Sequence, residues 1–321
     1  MVTHHDIQAA VGRISGHILK TPVVGAGALG MPEHTRGYLK LENRQYTGSF
    51  KARGALNKVL MLQEQGVTGP VVTASTGNHG LGVARALEIT GMAGILFVPG
   101  HIAPAKLAAL RQFPIDIRMV KGDPLLSEMT AKAYAREAGL PWISPYNDRD
   151  VIAGQGTIGP ELTAELADIA AVYVTIGGGG LVSGIATWLA HAAPKTEIIG
   201  CLPARSPEMQ LSVEAGQIVH LGEAEETLSD GSAGGCEDGS ITFPICQQLV
   251  SRYLLIEEAA IAAAMAEVYH HLGETIEGSA GVAVAAMQQD AHRYPGATVI
   301  SIICGGNIDQ SRFESILRTW K

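Results

Sequence analysis

A lysine set among small residues, Gly48-Ser49-Phe50-Lys51-Ala52-Arg53-Gly54-Ala55, follows the run Tyr38-Leu39-Lys40-Leu41-Glu42, which reads as a strand. An ammonium shielded from water in such a turn has a lowered pKa, and its neutral amine becomes available for a Schiff base. An ordinary solvated lysine would fit these residues as well. Gly177-Gly178-Gly179-Gly180 lies between a strand-like and a helix-like segment, where free N–H groups and a helix N-terminus suit a phosphate. The alternatives are a structural turn or a dinucleotide site, but the spaced G-x-G-x-x-G pattern is absent. Ser75-Thr76-Gly77-Asn78-His79-Gly80 has the same placement and offers uncharged donors for a carboxylate, or simply an N-cap. Cys304-Gly305-Gly306-Asn307 ends the last strand-like run, where a thiol could donate weakly to a ring nitrogen or merely fill a core gap.

The elements that position these residues alternate. Strand runs Val71–Ala74, Gly94–Val98 and Ile115–Val120 are each followed by a helical pattern, at Gly80–Glu88, Ala105–Leu110 and Ser127–Ala133. After Pro145 the order resumes with a helix near Pro160–Leu166, a strand at Ala171–Ile176, a helix from Leu181 to Ala192, and strands at Glu197–Leu202 and Ala297–Ile303. Such alternation predicts parallel sheets with helices on both faces. There are too many units for one sheet, so two α/β lobes with a cleft between them are expected. The stretch from about Gly222 to Asp238, rich in Glu, Gly and Ser, reads as a loop over the surface or site, or as disorder.

The chain has 321 residues, 46% hydrophobic and 17% charged, as in an ordinary globular protein. A formal charge of -8 without a basic cluster argues against a nucleic-acid groove and for a small-molecule partner. The N-terminus lacks a signal-peptide pattern and no apolar run is long enough to span a membrane, so a cytoplasmic location with no membrane partner is expected. The cysteines, Cys201, Cys236, Cys246 and Cys304, show no zinc or redox spacing, and disulfides are not expected.

Taken together, the Lys51 segment, Ser75–His79, the four glycines and Cys304–Asn307 resemble the pyridoxal-phosphate enzymes of fold type II, in the threonine/serine dehydratase and serine racemase branch. Val151-Ile152-Ala153-Gly154-Gln155-Gly156-Thr157 and Ile276-Glu277-Gly278-Ser279-Ala280-Gly281 extend the resemblance over essentially the whole chain. It implies an α/β fold of two lobes with twisted, mostly parallel sheets. Residues 1–47 and 148–321 would form the large cofactor-binding domain and 48–147 the small one. It also implies a homodimer and the cofactor pyridoxal 5'-phosphate. Lys51 would form the Schiff base, Phe50 would pack against the ring, Asn78 would bond its 3-hydroxyl, Gly177, Gly178, Gly179 and Gly180 would hold its phosphate, and Cys304 would face its pyridine nitrogen. Ser75, Asn78, His79 and Asn147 would gather around the carboxylate of an amino-acid substrate.

A neutral partner such as Cys304 leaves the ring nitrogen largely unprotonated, weakens the ring as an electron sink and favours loss of a β-leaving group. The resemblance therefore implies β-elimination of water from threonine, serine or a related hydroxy amino acid, with Lys51 removing the α-proton. Racemases of the family place a serine where Thr76 stands, and typical threonine dehydratases an alanine; the extra methyl of Thr76 restricts its rotamer, so racemisation stays open but less favoured. The Ser75–His79 segment, with Glu226–Gly231, is similar to the dehydratases of hydroxyectoine breakdown. Metal-activated relatives use a carboxylate where Leu202 stands here, and Ser206 and Glu208 alone make a poor site, so no metal is expected. The chain ends at Lys321 after a helix Arg312–Trp320, with no expected regulatory domain or end-product control.

Overall fold

The structure, a computed structural model, describes residues 1–122, 124–222 and 225–320. Its strands are β1 (Val23–Gly25), β2 (Arg36–Leu41), β3 (Val71–Ala74), β4 (Gly94–Pro99), β5 (Asp116–Val120), β6 (Ile169–Thr175), β7 (Glu197–Pro203), β8 (Arg252–Ile256) and β9 (Thr298–Ile303). They form a six-stranded sheet in the order β1-β2-β9-β6-β7-β8 and a three-stranded sheet β3-β4-β5. All neighbours run parallel except the edge pair β1–β2. The interior strands β6 and β9 and all of β3 and β4 are nearly continuous apolar runs, as strands covered on both faces must be.

Three helices cross at glycines. A Cβ on Gly54 would lie 2.6 Å from the Val151 carbonyl, and one on Gly184 would lie 2.5 Å from both the Gly156 N–H and the Ile152 carbonyl. Helix Lys51–Glu64 thus rests directly on helix Arg149–Gly156, which rests on helix Gly180–Ala192. The glycines of the Val151–Thr157 segment fix the distance between the Lys51 helix and the four-glycine turn.

Beneath Lys51 lies a buried polar cluster. Arg53, fully buried, donates from Nε and Nη2 to both Glu42 carboxylate oxygens at 2.8 Å, and from Nη1 to Glu161 at 2.7 Å and Thr157 at 3.1 Å. Lys40 donates to Glu161 at 2.6 Å, so two cations face two carboxylates, a balanced arrangement that a buried network requires.

Several elements differ from the reading of the sequence alone. Lys51 is the first residue of a helix, not part of a turn. Strands β1 and β8 and the helices Glu258–Leu272 and Gly278–Asp290 are elements that the alternating pattern does not reveal. Of the Gly222–Asp238 stretch, residues 223 and 224 lie outside those described. The remainder is an irregular but packed loop that buries Thr227, Ser229, Ser232 and Cys236.

Candidate active site

The carboxyl ends of β2, β3, β6 and β9 converge, where ligands of open α/β sheets bind. Leaving β2, the chain makes a short 3-10 turn and reaches Gly48 (φ 71°). Ser49 then pairs with Gly305 in an isolated antiparallel bridge, and the Phe50 N–H donates to the Cys304 carbonyl at 3.0 Å. These bonds place Lys51 beside the end of β9. Its Nζ donates to the Pro145 carbonyl at 2.7 Å and lies 5.1 Å from the Phe50 ring centroid. Burial lowers its pKa to about 8, against the opposing pull of Cys304 and Glu277.

Cys304 is 4% exposed, and burial first, then the nearby Glu277 carboxylate, pushes its thiol well above the ordinary range. The group at the end of β9 is therefore neutral.

The four glycines follow β6. Gly179 has φ 84°, and helix Gly180–Ala192 starts immediately after it. A Cβ on Gly177 would lie 2.9 Å from the Ser232 carbonyl, and one on Gly178 would overlap the Tyr146 ring. None of the four N–H groups donates to another described residue. A turn of unpaired N–H groups at a helix N-terminus, closed to any side chain, suits a phosphate.

The Ser75–His79 turn follows β3. Ser75 Oγ accepts from the Gly77 N–H at 3.1 Å, Thr76 is partly exposed, and Asn78 opens helix Asn78–Thr90. His79 lies beneath the turn, 3% exposed, with Nε2 3.1 Å from the Ile143 carbonyl, so that nitrogen is the donor. Burial, then the Lys51 charge, drives its pKa to about 3, and the ring is neutral. Asn147 is turned towards the 227–241 loop: Nδ2 donates to Glu237 at 2.9 Å and Oδ1 accepts from the Ile241 N–H at 2.9 Å. The structure thus brings Phe50, Lys51, Asn78 and Cys304 together directly, while the carboxamide of Asn147 is already engaged.

Glu277, in the Ile276–Gly281 motif, has no task that its local sequence reveals. It is 6% exposed, accepts from Asn78 Nδ2 at 2.8 and 3.0 Å, and has its pKa raised to about 7 by burial. Ser206 Oγ donates to Glu208 at 2.6 Å, and among the described residues no group of three His, Cys, Asp or Glu side chains is placed to hold a metal.

The profile of the family described as "Pyridoxal-phosphate dependent enzyme" matches residues 14–305. The chain belongs to this family. Its cofactor is accordingly pyridoxal 5'-phosphate, and the expected fold type II architecture is borne out. The chain is 34% identical over 313 residues to an L-threonine ammonia-lyase of Geobacter sulfurreducens, covering 96% of this chain and 76% of the relative. It is 30% identical over 316 residues to an L-threo-3-hydroxyaspartate ammonia-lyase of a Pseudomonas species, covering 98% of each. Among solved structures, processed threonine deaminase isoform 2 of Solanum lycopersicum superposes with a TM-score of 0.91 at 32% identity, covering 98% of this chain and 91% of that one. A pyridoxal 5'-phosphate-dependent aspartate racemase superposes with a TM-score of 0.90 at 31% identity, covering 97% and 98%.

The residues present fit the cofactor. Besides the unpaired glycine N–H groups, the hydroxyls of Thr47 and Ser49 and the Nδ1 of His79 are buried without a partner among the described residues, as in a site shaped for a polar guest. No helix of the structure is long and apolar enough to cross a membrane among the described residues.

Proposed function

We propose that this family member is an ammonia-lyase of the threonine/serine dehydratase type, eliminating water from a β-hydroxy amino acid to give a 2-oxo acid and ammonia. The observation that carries this reading is the buried, neutral Cys304 thiol beside Lys51. Bound pyridoxal phosphate supplies an electron sink for the pair left on the substrate α-carbon, and a ring nitrogen facing a thiol rather than a carboxylate makes that sink weak. A weak sink favours prompt departure of a β-hydroxyl over reprotonation at the α-carbon.

In this reading Lys51 anchors the cofactor and, once freed, takes the α-proton, a task suited to an amine with a pKa of about 8. Phe50 covers the ring, Asn78 bonds the ring oxygen, and glycines 177–180 bind the phosphate. Ser75 and the backbone N–H groups of the Ser75–His79 turn, that of Asn78 included, hold the substrate carboxylate through uncharged donors. Neutral His79 fixes the turn to Ile143, and Asn147 joins the substrate only when its bonds to the 227–241 loop open. The small domain is assigned to 48–147, the large to 1–47 and 148–321, and the protein to a homodimer in the cytoplasm. Threonine, serine, 3-hydroxyaspartate and a hydroxyectoine-derived amino acid are the candidate substrates.

A second reading, amino-acid racemase, draws on the similarity to the aspartate racemase and on Thr76, whose partly exposed hydroxyl sits in the Ser75–His79 turn. Incubating the holoenzyme with the L-forms of these candidates, and following ammonia and 2-oxo acid against D-isomer, separates the two. Exclusive D-isomer formation would select the racemase.

A further inference from the structure

The Asn78 carboxamide is held at both ends. Its Nδ2 faces the Glu277 carboxylate at 2.8 and 3.0 Å, and its Oδ1 accepts from Asn307 Nδ2 at 2.7 Å. Asn307 is itself oriented, because the same Nδ2 donates to the Thr47 carbonyl at 2.8 Å. The Thr47 carbonyl oxygen is an acceptor only, and so is Glu277 when ionised, above about pH 7; there neither amide can turn over without setting acceptor against acceptor. The chain of bonds therefore runs one way, from Asn307 to Asn78 and from Asn78 to Glu277.

The two ends of Asn78 also differ in position. Glu277 is buried and lies close enough to Lys51 and Cys304 to perturb both electrostatically, so the Nδ2 end points into the site. Asn307 is exposed at the rim, and the Oδ1 end points outward. One amide N–H can serve both oxygens of a carboxylate, which leaves the second for a guest beside Lys51.

We infer that Glu277 and Asn307 are positioning residues, holding Asn78 in the single orientation that presents N–H, not C=O, to the cofactor's ring oxygen, so that this oxygen is bound ionised. The inference rests on the role of Asn78 proposed above. Gly48 belongs to the same device: a Cβ there would lie 2.5 Å from Asn307 Oδ1 and push its amide away from Thr47.

The test titrates apoprotein, above pH 8 where Glu277 is ionised, with pyridoxal 5'-phosphate and with its 3-deoxy analogue, following quenching of protein fluorescence. The wild type should prefer the natural cofactor by roughly tenfold, the value of one hydrogen bond to a charged group. In the Glu277→Gln/Asn307→Asp pair, the new carboxylate offers Asn78 only acceptors where it had a donor, and the new amide at 277 can turn to supply a donor in return. Its amide should invert, and the preference should fall to unity or reverse, while binding of the analogue is retained. A wild-type preference in that pair, with Asn78→Ala abolishing it, would overturn the inference and leave the role of Asn78 standing. No preference in the wild type, or one surviving Asn78→Ala, would remove that role and the inference with it. If the pair fails to bind even the analogue, exposed Asn307→Ser serves instead, and an unchanged preference in it counts against the proposal.

Discussion

Lys51, at the start of helix Lys51–Glu64, and Glu277, just before helix Gly278–Asp290, influence one another's charge inside the site. Burial moves their pKa values together, the amine down to about 8 and the carboxyl up to about 7. Each prefers its neutral form more than it would in water, and the charge of each partly offsets the shift of the other.

The Glu277 shift has a definite effect on stability. A raised carboxyl pKa means that between 4.5 and about 7 the folded chain holds a proton the unfolded chain has released. That contribution is full below 4.5 and is lost as pH rises through about 7. Glu277→Gln removes it, so the Tm of the wild type relative to this variant should decline from pH 5 to pH 7.5. A difference that stays level or grows over this range would contradict the assignment.

The shift of Lys51 controls cofactor capture, since only the neutral amine attacks an aldehyde. The rate at which apoprotein develops the visible Schiff-base absorbance should rise with pH and level off above about 8. A rate still climbing steeply towards 10.5, the ordinary lysine value, would show an unshifted amine.

Gly178→Ala should weaken cofactor binding. The added methyl overlaps the Tyr146 ring, and yielding moves either that ring or the phosphate turn. Roughly a tenfold or greater rise in the dissociation constant is predicted, with a stability loss of about 1–3 kcal/mol by urea unfolding. Unchanged affinity would mean that the glycine turn does not hold the phosphate.

Arg53→Met leaves Glu42 and Glu161 facing one another with Lys40 as the remaining cation of the cluster. Removing one member of a buried charge network costs about 3–5 kcal/mol, measured by urea unfolding. A loss below about 1 kcal/mol, within the range of an exposed pair, would show that the cluster is not dry.

Much of the site was legible because its parts are local. Four glycines in a row, the small residues around Lys51 and the Ser75–His79 turn are contiguous, and each follows an apolar strand run. Glu277 was not legible as a site residue, because its meaning depends on Asn78, brought to it only by the fold. Helix Gly278–Asp290 escaped because nearly every residue in it is buried, so it carries no polar stripe with helical period. Strand β8 escaped for a different reason: only Ile256 is fully buried, and Arg252 at its start pairs with Asp290 at 2.6 Å. The carboxamide of Asn147 has the right chemistry for a substrate carboxylate, but Glu237 and the Ile241 N–H, which hold it, lie some ninety residues away and meet it only in the fold.

In the proposed β-elimination, removal of the α-proton falls to the Lys51 amine. The decisive measurement compares ammonia release from the best substrate of the panel by the wild type and by Lys51→Ala, each loaded with cofactor and each assayed for 2-oxo acid. The wild type should release ammonia and 2-oxo acid in equal amounts, and the variant should hold cofactor through its glycine turn yet release neither. Release by Lys51→Ala at a rate near that of the wild type would contradict the account.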